Sequence, residues 1–86
     1  MTVKFSGPIK KYTAGESDFT PVTSTTLREL LNELNIKFGE DFKNFITDNE
    51  SCLILINGKG TMMFGGLDTP LKSNDLIEIL PVVIAG

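Results

Sequence analysis

Residues 26–39 read TLRELLNELNIKFG and carry the strongest structural signal in the chain. Apolar side chains recur at helical spacing, which places them on one face of an amphipathic helix: Leu27, Leu30, Leu31, Leu34 and Phe38. Thr26 and Glu29 form a capping box, in which the hydroxyl and the carboxylate each accept a hydrogen bond from an otherwise unpaired backbone N–H. Gly39 suits the end of a helix. The pattern predicts one helix over residues 27–38 with its leucine stripe in the core.

Strand-like runs precede this helix. Val3 and Phe5 alternate with polar residues, which is typical of a half-buried strand, until a Gly-Pro pair ends the run. After a polar loop, residues 19–22 indicate an edge strand, because Pro21 has no N–H to donate to a β-ladder. The two runs together predict a hairpin with a long loop.

Further apolar runs follow the helix. Residues 42–46 contain two phenylalanines and an isoleucine and are expected on a short irregular or helical turn. Residues 53–56 are apolar throughout, and the Asn-Gly pair directly after them is the strongest short-range hairpin signal, with residues 61–64 as the returning strand. Residues 76–80 predict a last strand.

The order of these elements predicts an α+β fold, with a mixed sheet of four to five strands and one main helix packed on one face. Residues 1–86 are expected to form a single domain that ends in an extended tail, residues 81–86. A helix covers only one face of a sheet, whereas Leu80 alternates away from its apolar neighbours in the last strand. Either the second face is an apolar partner site, or the loop after the first strand or the segment 40–50 covers it.

The composition excludes most catalytic machinery. The 86 residues include no His and one Cys, so the chain itself offers no His-containing triad, no imidazole zinc ligand and no cysteine pair for redox or metal chemistry. Cys52 begins an apolar strand without a nearby cation and is expected to be inert. The carboxylates are scattered over predicted turns and the polar face of the helix. An autonomous enzyme is therefore the weakest interpretation, and no metal site is expected.

Net charge and hydropathy limit the classes of partner that are expected. The net charge is −3, and no basic cluster is larger than Lys10-Lys11, which argues against nucleic-acid binding. No apolar run approaches the roughly 20 residues that span a bilayer, so no membrane association is expected. A lone cysteine fits a reducing compartment, and a cytoplasmic location is expected.

The carboxyl end has an unusual composition for a terminus. It is apolar and closes on small residues: Pro81, Val82, Val83, Ile84, Ala85 and Gly86. Most domain ends are polar and frayed. One interpretation is a tail that threads into a narrow channel of a partner and presents its terminal carboxylate, where a residue without Cβ permits close approach. The other is a tail that folds back on the sheet.

The whole chain resembles the MoaD/ThiS family of ubiquitin-like sulfur carriers. The segments that carry the resemblance, in this order, are VKFSGPIKKYT at 3–13, TLRELL at 26–31, ING at 56–58, GLDTPL at 66–71 followed by Asn74-Asp75, and LPVVIAG at 80–86. Two positions depart from the family pattern. Ala85 stands where the first of two terminal glycines is usual, and Leu80 replaces a common aromatic residue before the tail proline.

The resemblance implies a β-grasp (ubiquitin-like) fold and a carrier function rather than catalysis. A ubiquitin-activating-enzyme-like adenylyltransferase would use ATP to adenylate the carboxylate of Gly86, and a sulfur donor would convert it to a thiocarboxylate. The chain itself would bind no cofactor. The residues implied in partner binding are those of the tail and its start: Leu80, Pro81, Val82, Val83, Ile84 and Ala85.

Several functions remain open at this point. Length and the Leu-Pro-Val tail resemble MoaD-like members more than the shorter carriers of the thiazole pathway. This resemblance implies the small subunit of molybdopterin synthase, with the large subunit of that enzyme as the sulfur acceptor. The alternatives are a carrier for another pathway, such as thiamine or cysteine synthesis, a ubiquitin-like modifier joined to lysines, and a non-catalytic β-grasp binding module.

Overall fold

The alternating and helical patterns of the sequence form two layers, a sheet and a pair of helices. The computed structural model describes residues 1–21, 23–48, 52–60 and 66–82. The strands in these ranges are β1 (Thr2–Phe5), β2 (Asp18–Phe19), β3 (Cys52–Ile56), β4 (Lys59–Gly60) and β5 (Leu76–Pro81). The α-helices there are α1 (Leu27–Phe38) and α2 (Glu40–Ile46), and 3-10 helices span Gly7–Tyr12 and Gly66–Asp68.

The five strands form one mixed sheet in the order β2-β1-β5-β3-β4. β1 runs parallel to β5, whereas the other neighbouring strands are antiparallel. The last strand in the sequence is therefore the central strand of the sheet. The mixed sheet and the main helix on one face confirm the predicted α+β architecture.

The predicted helix forms over the predicted residues because its local signals agree. Thr26 Oγ1 accepts a hydrogen bond from the Glu29 N–H at 3.3 Å, and Glu29 Oε1 accepts one from the Thr26 N–H at 3.2 Å, which completes the capping box. The hydroxyl and the N–H of Thr25 also donate to Glu29, and these bonds lower the pKa of Glu29 below its ordinary value. Gly39 ends the helix at a φ of 102°, a backbone angle that favours glycine.

The core lies between α1, α2 and one face of the sheet. The strands contribute these buried residues: Val3, Phe5, Cys52, Ile54, Ile56, Ile77 and Ile79. The helices contribute Leu27, Leu30, Leu31, Leu34, Phe42 and Ile46. The rings of Phe5, Phe38 and Phe42 meet edge to face, with centroids 5.5, 5.6 and 5.7 Å apart, so an aromatic cluster closes the end of the core at which β1 ends.

Two segments differ from the sequence prediction. The stretch expected as a polar loop after β1 contains the 3-10 helix, because Ile9 is buried in the core and Tyr12 stacks on Phe42. The second strand ends before Pro21, which cannot extend the ladder. Residues 42–46, expected on a short irregular or helical turn, are helical and belong to the two-turn helix α2.

The turn of the predicted hairpin is confirmed at Asn57 and Gly58. Asn57 and Gly58 have φ angles of 52° and 85°, as a two-residue hairpin turn of the mirror-image type requires. The returning strand that the structure describes is Lys59–Gly60, and the predicted residues 61–64 lie outside the described residues.

Candidate functional site

The site predicted from sequence begins where the chain leaves the central strand. We call Leu80, Pro81 and Val82 the tail root. On one side Leu80 and Pro81 pair with β3, opposite Leu53 and Cys52. On the other side the Ser6 N–H donates to the Ile79 carbonyl at 3.3 Å. The sheet therefore holds β5 from both sides almost to its end, and Val82, which is 38% exposed, follows directly.

The other predicted site residues lie outside the described part of the chain. These are Val83, Ile84, Ala85 and Gly86. Of the predicted partner-binding residues, the structure thus brings together Leu80, Pro81 and Val82. Their position at the end of a firmly paired strand fixes the point from which the rest of the tail departs.

A second feature is the sheet face opposite α1, which we call the open face. Strand alternation and register place Lys4, Leu53, Leu55, Glu78 and Leu80 on it. Leu53 is 45% exposed, whereas Cys52, Ile54 and Ile56 on the covered face of the same strand are at most 9% exposed. The leucines form an apolar strip that continues into the tail root.

The described apolar side chains of the two segments expected as alternative covers pack on the helix side of the sheet. α2 packs on the helix side, since Phe42 contacts Phe5 and Phe38 in the core. The loop after β1 packs on the same side through Ile9 and Tyr12. The described parts of both segments therefore leave the apolar strip accessible.

A row of charges crosses the open face beside the strip. Lys4 pairs in register with Asp18 of β2 on one side and with Glu78 of β5 on the other. Glu78 in turn lies opposite Leu55 of β3. Sequence reasoning did not single out Lys4 or Glu78, because their proximity depends on the parallel pairing of the first and last strands, which no local pattern encodes.

These three charges line a shallow depression of about 230 Å³. Its other lining residues are Phe5, Ser6, Ser17 and Leu80, so it opens beside the tail root. Ion pairs within 4.0 Å among the described residues are Arg28–Asp68 and Lys37–Glu16. Lys4, Asp18 and Glu78 thus face solvent side by side without a close ion pair.

Cys52 lies beside the tail root, opposite Pro81, but its side chain is buried in the core. Burial raises the pKa of the thiol to about 11. The thiolate is the nucleophilic form, so this thiol is unreactive at neutral pH. An apolar groove of about 540 Å³ near it is lined by residues of α1, α2 and β3, and holds no other titratable group among the described residues.

The opposite end of β5 is held by a polar clamp that sequence reasoning missed. The Asn57 side chain donates to Asp75 Oδ1 at 2.9 Å and accepts from the Leu76 N–H at 2.9 Å. Asp75 Oδ2 accepts from the Lys72 N–H at 2.8 Å. The Lys72 N–H and the Asn57 amide hold the pKa of Asp75 below its ordinary value.

The described ranges contain no cluster of three or more His, Cys, Asp or Glu side chains placed to hold a metal ion. No helix in these ranges is long and apolar enough to cross a bilayer. The features that the described side chains do form near the tail root are the apolar strip and the row of charges beside it.

The protein has a ubiquitin-like β-grasp fold. Its sheet is mixed and five-stranded, with the last strand at the centre beside the first, and one main helix lies across one face. The model of the ThiS family matches residues 3–86. The chain belongs to the ThiS family of ubiquitin-like sulfur carriers, small proteins that are not catalytic themselves.

Solved structures agree with this assignment. The chain is 34% identical to a protein in the complex of subunits 1 and 2 of molybdopterin-converting factor from Helicobacter pylori, with 99% of this chain and 96% of that chain covered and a TM-score of 0.67. It is 28% identical to small archaeal modifier protein 1 from Methanosarcina acetivorans, with 99% and 94% covered and a TM-score of 0.74.

A third structure shares the fold at lower identity. A chain of the BexX/CysO complex of Amycolatopsis orientalis is 20% identical, with 99% of this chain and 98% of that chain covered and a TM-score of 0.80. No curated protein matches the sequence.

Proposed function

We propose that this protein carries sulfur as a thiocarboxylate on Gly86 and serves as the small subunit of molybdopterin synthase in molybdenum or tungsten cofactor biosynthesis. The observation that carries the proposal is the 34% identity, over 99% of the chain, to a protein solved in a complex of the two subunits of molybdopterin-converting factor. In this proposal residues 1–86 act in the cytoplasm as one carrier domain, and residues 81–86 are its tail.

The chemistry needs an activating partner rather than a catalytic side chain. A terminal carboxylate has an ordinary pKa of about 3.3–3.7, so it is ionised and unreactive toward sulfur nucleophiles at neutral pH. A ubiquitin-activating-enzyme-like adenylyltransferase would let the Gly86 carboxylate oxygen attack the α-phosphorus of ATP, and pyrophosphate would leave. Sulfide-level sulfur (HS⁻) from a donor would then attack the acyl carbon, AMP would leave, and the product would be the thiocarboxylate. ATP belongs to the partner, and this chain would hold no cofactor.

The geometry of the described residues suits delivery of such a tail. The paired end of β5 fixes where the tail starts, and the open face next to it offers apolar surface for a partner. The partner would contact Leu80, Pro81 and Val82 first, and then Val83, Ile84 and Ala85 within its channel. The same surface would serve the sulfur acceptor, the large subunit of molybdopterin synthase.

Mass spectrometry tests the proposal. After incubation with the adenylyltransferase of the same genome, ATP and a sulfur donor, the protein is expected to gain about 16 Da as sulfur replaces one terminal oxygen. Deletion of Gly86 is expected to abolish the gain while fold and partner affinity stay nearly unchanged. Ala85→Gly is the matched control, because it keeps the length and the terminal carboxylate. An unchanged mass of the wild-type protein, under conditions that thiolate a related carrier, would contradict the proposal.

A second candidate is a protein modifier, favoured by the 28% identity to small archaeal modifier protein 1. Modifier and carrier share the adenylate, so the discriminating measurement is the final product. A modifier would form isopeptide bonds from Gly86 to lysines, visible as higher-mass conjugates that resist thiols. A carrier would release its sulfur and return to the free carboxylate.

A further inference from the structure

We infer that Glu78 selects the partner on the open face by pairing with a basic side chain, best an arginine, of the adenylyltransferase. The inference rests on the proposed function, because it assumes that this partner docks beside the tail root. It goes beyond that function in naming the residue that recognises the partner and the chemistry of the group it recognises.

Glu78 cannot be avoided by a partner that covers the apolar strip. It is directly opposite Leu55 on β3, and it is two residues from Leu80 on the same face of β5. Neighbouring strands lie about 5 Å apart, so any surface that contacts both leucines also covers this carboxylate. Glu78 is already half-buried in the free protein.

Covering Glu78 without a counter-charge would oppose docking. Removing a carboxylate from water is costly unless it is paired and hydrogen-bonded. A partner that presents an apolar surface alone would meet this cost, whereas a partner with a cation at this position would avoid it. The carboxylate therefore discriminates between partners of equal hydrophobicity.

Lys4 does not neutralise the row by itself. It lies between two carboxylates, Asp18 and Glu78, so one lysine faces two negative charges and the row keeps a net charge of −1. It makes no ion pair within 4.0 Å among the described residues. Asp18 is exposed on the edge strand and keeps its water, whereas Glu78 is central, so the missing cation is needed at Glu78.

The depression beside Glu78 fits a side chain with planar donors. Its volume is about 230 Å³, and Ser6 and Ser17 add polar atoms to its lining. A guanidinium can donate two parallel hydrogen bonds to one carboxylate, which an ammonium cannot. An arginine on the partner would therefore fill the depression and pair with Glu78 at the same time.

Calorimetric titration of the adenylyltransferase with three variants tests the inference. Glu78→Gln keeps shape and removes the charge, and is expected to weaken binding at least about tenfold. Asp41→Asn, which removes an exposed carboxylate on the helix side, is the control away from the depression, and Lys4→Gln removes the competing cation. Asp41→Asn is expected to stay within about threefold of the wild type, and Lys4→Gln is expected to bind at least as tightly as the wild type. Wild-type binding is also expected to weaken as salt rises, a readout that requires no variant.

Two outcomes would overturn the inference. Binding of Glu78→Gln within about threefold of the wild type, in a protein with unchanged thermal unfolding, would show that Glu78 is not recognised. An equal loss in Lys4→Gln would show that Lys4 and Glu78 pair with each other under the partner. In either case a gain of about 16 Da by the wild-type protein would leave the proposed carrier function standing. Failure of that gain would instead count against the carrier function.

Discussion

The two faces of the sheet are built from alternate residues of the same strands, but one face is covered by the helices and the other is open. In β5, Ile77 and Ile79 are at most 1% exposed beneath the helices, while Glu78 and Leu80 between and after them lie on the open face. In β3, Ile54 is buried and its neighbour Leu53 is 45% exposed. One residue along the chain separates a side chain that stabilises the fold from one that is available to a partner.

The difference shows how a small domain can hold apolar side chains outside its core. Register fixes which residues face the core, because a slip by one residue would exchange the two faces. The covered face carries β-branched residues and phenylalanines in close packing, which hold that register. The open face then carries leucines and charges that the helices do not cover.

The largest expected effect is on the covered face. Ile79→Ala should lower the free energy of unfolding by about 2–5 kcal/mol, because Ile79 is 1% exposed and its removal leaves a cavity between β5 and the helices. Chemical denaturation measures the change, with Leu80→Ala on the adjacent position as control. Equal losses in the two variants would mean that the two faces do not differ in packing.

A smaller effect on folding is expected for Leu80→Ala itself, together with an effect on binding. Its free energy of unfolding should fall by about 1–2 kcal/mol, less than in Ile79→Ala, because Leu80 is partly rather than fully buried. Affinity for the adenylyltransferase should fall at least about fivefold, as expected for an apolar anchor at the start of the tail. Unchanged affinity in a calorimetric titration would show that the apolar strip is not part of the interface.

The features that could be predicted from the sequence are those specified by residues close together in the chain. α1 is predicted to the residue, since its periodicity, its Thr26–Glu29 capping box and its closing Gly39 all lie within one segment. Alternation alone places Leu80 on the face away from Ile77 and Ile79. These predictions need no knowledge of which strands are neighbours.

The features that could not be predicted depend on contacts between residues far apart in the chain. The row of Asp18, Lys4 and Glu78 exists only because β1 lies between β2 and β5. The 3-10 helix after β1 forms around Ile9, whose burial depends on elements far along the chain. The Asn57–Asp75 clamp likewise joins a hairpin turn to the loop before β5.

An intermediate effect is expected from the cap of the helix that covers the core. Thr26→Ala should cost about 1 kcal/mol in the free energy of unfolding, because the Glu29 N–H loses its acceptor in the first turn of α1. Thr26→Ser, which keeps the hydroxyl, should restore most of it. Partner affinity should not change in either variant, since this end of α1 is on the covered side. A loss of affinity in folded Thr26→Ala would mean that the two faces are coupled.

The smallest expected effect concerns the clamp, which ties the hairpin turn at Asn57 to the start of β5 without belonging to either face. The pKa of Asp75 is held below its ordinary value of 3.8, first by the Lys72 N–H and then by the Asn57 amide. A carboxyl whose pKa is lowered by folding stabilises the folded state above its unfolded pKa and loses that contribution as pH falls through its folded pKa. The wild type should therefore be slightly more stable than Asp75→Asn at neutral pH, and the difference should shrink below pH 3.8. Urea unfolding over this pH range measures it, with exposed Asp41→Asn as control. A difference that stays constant or grows as pH falls would show that the ionised form of Asp75 does not stabilise the folded state.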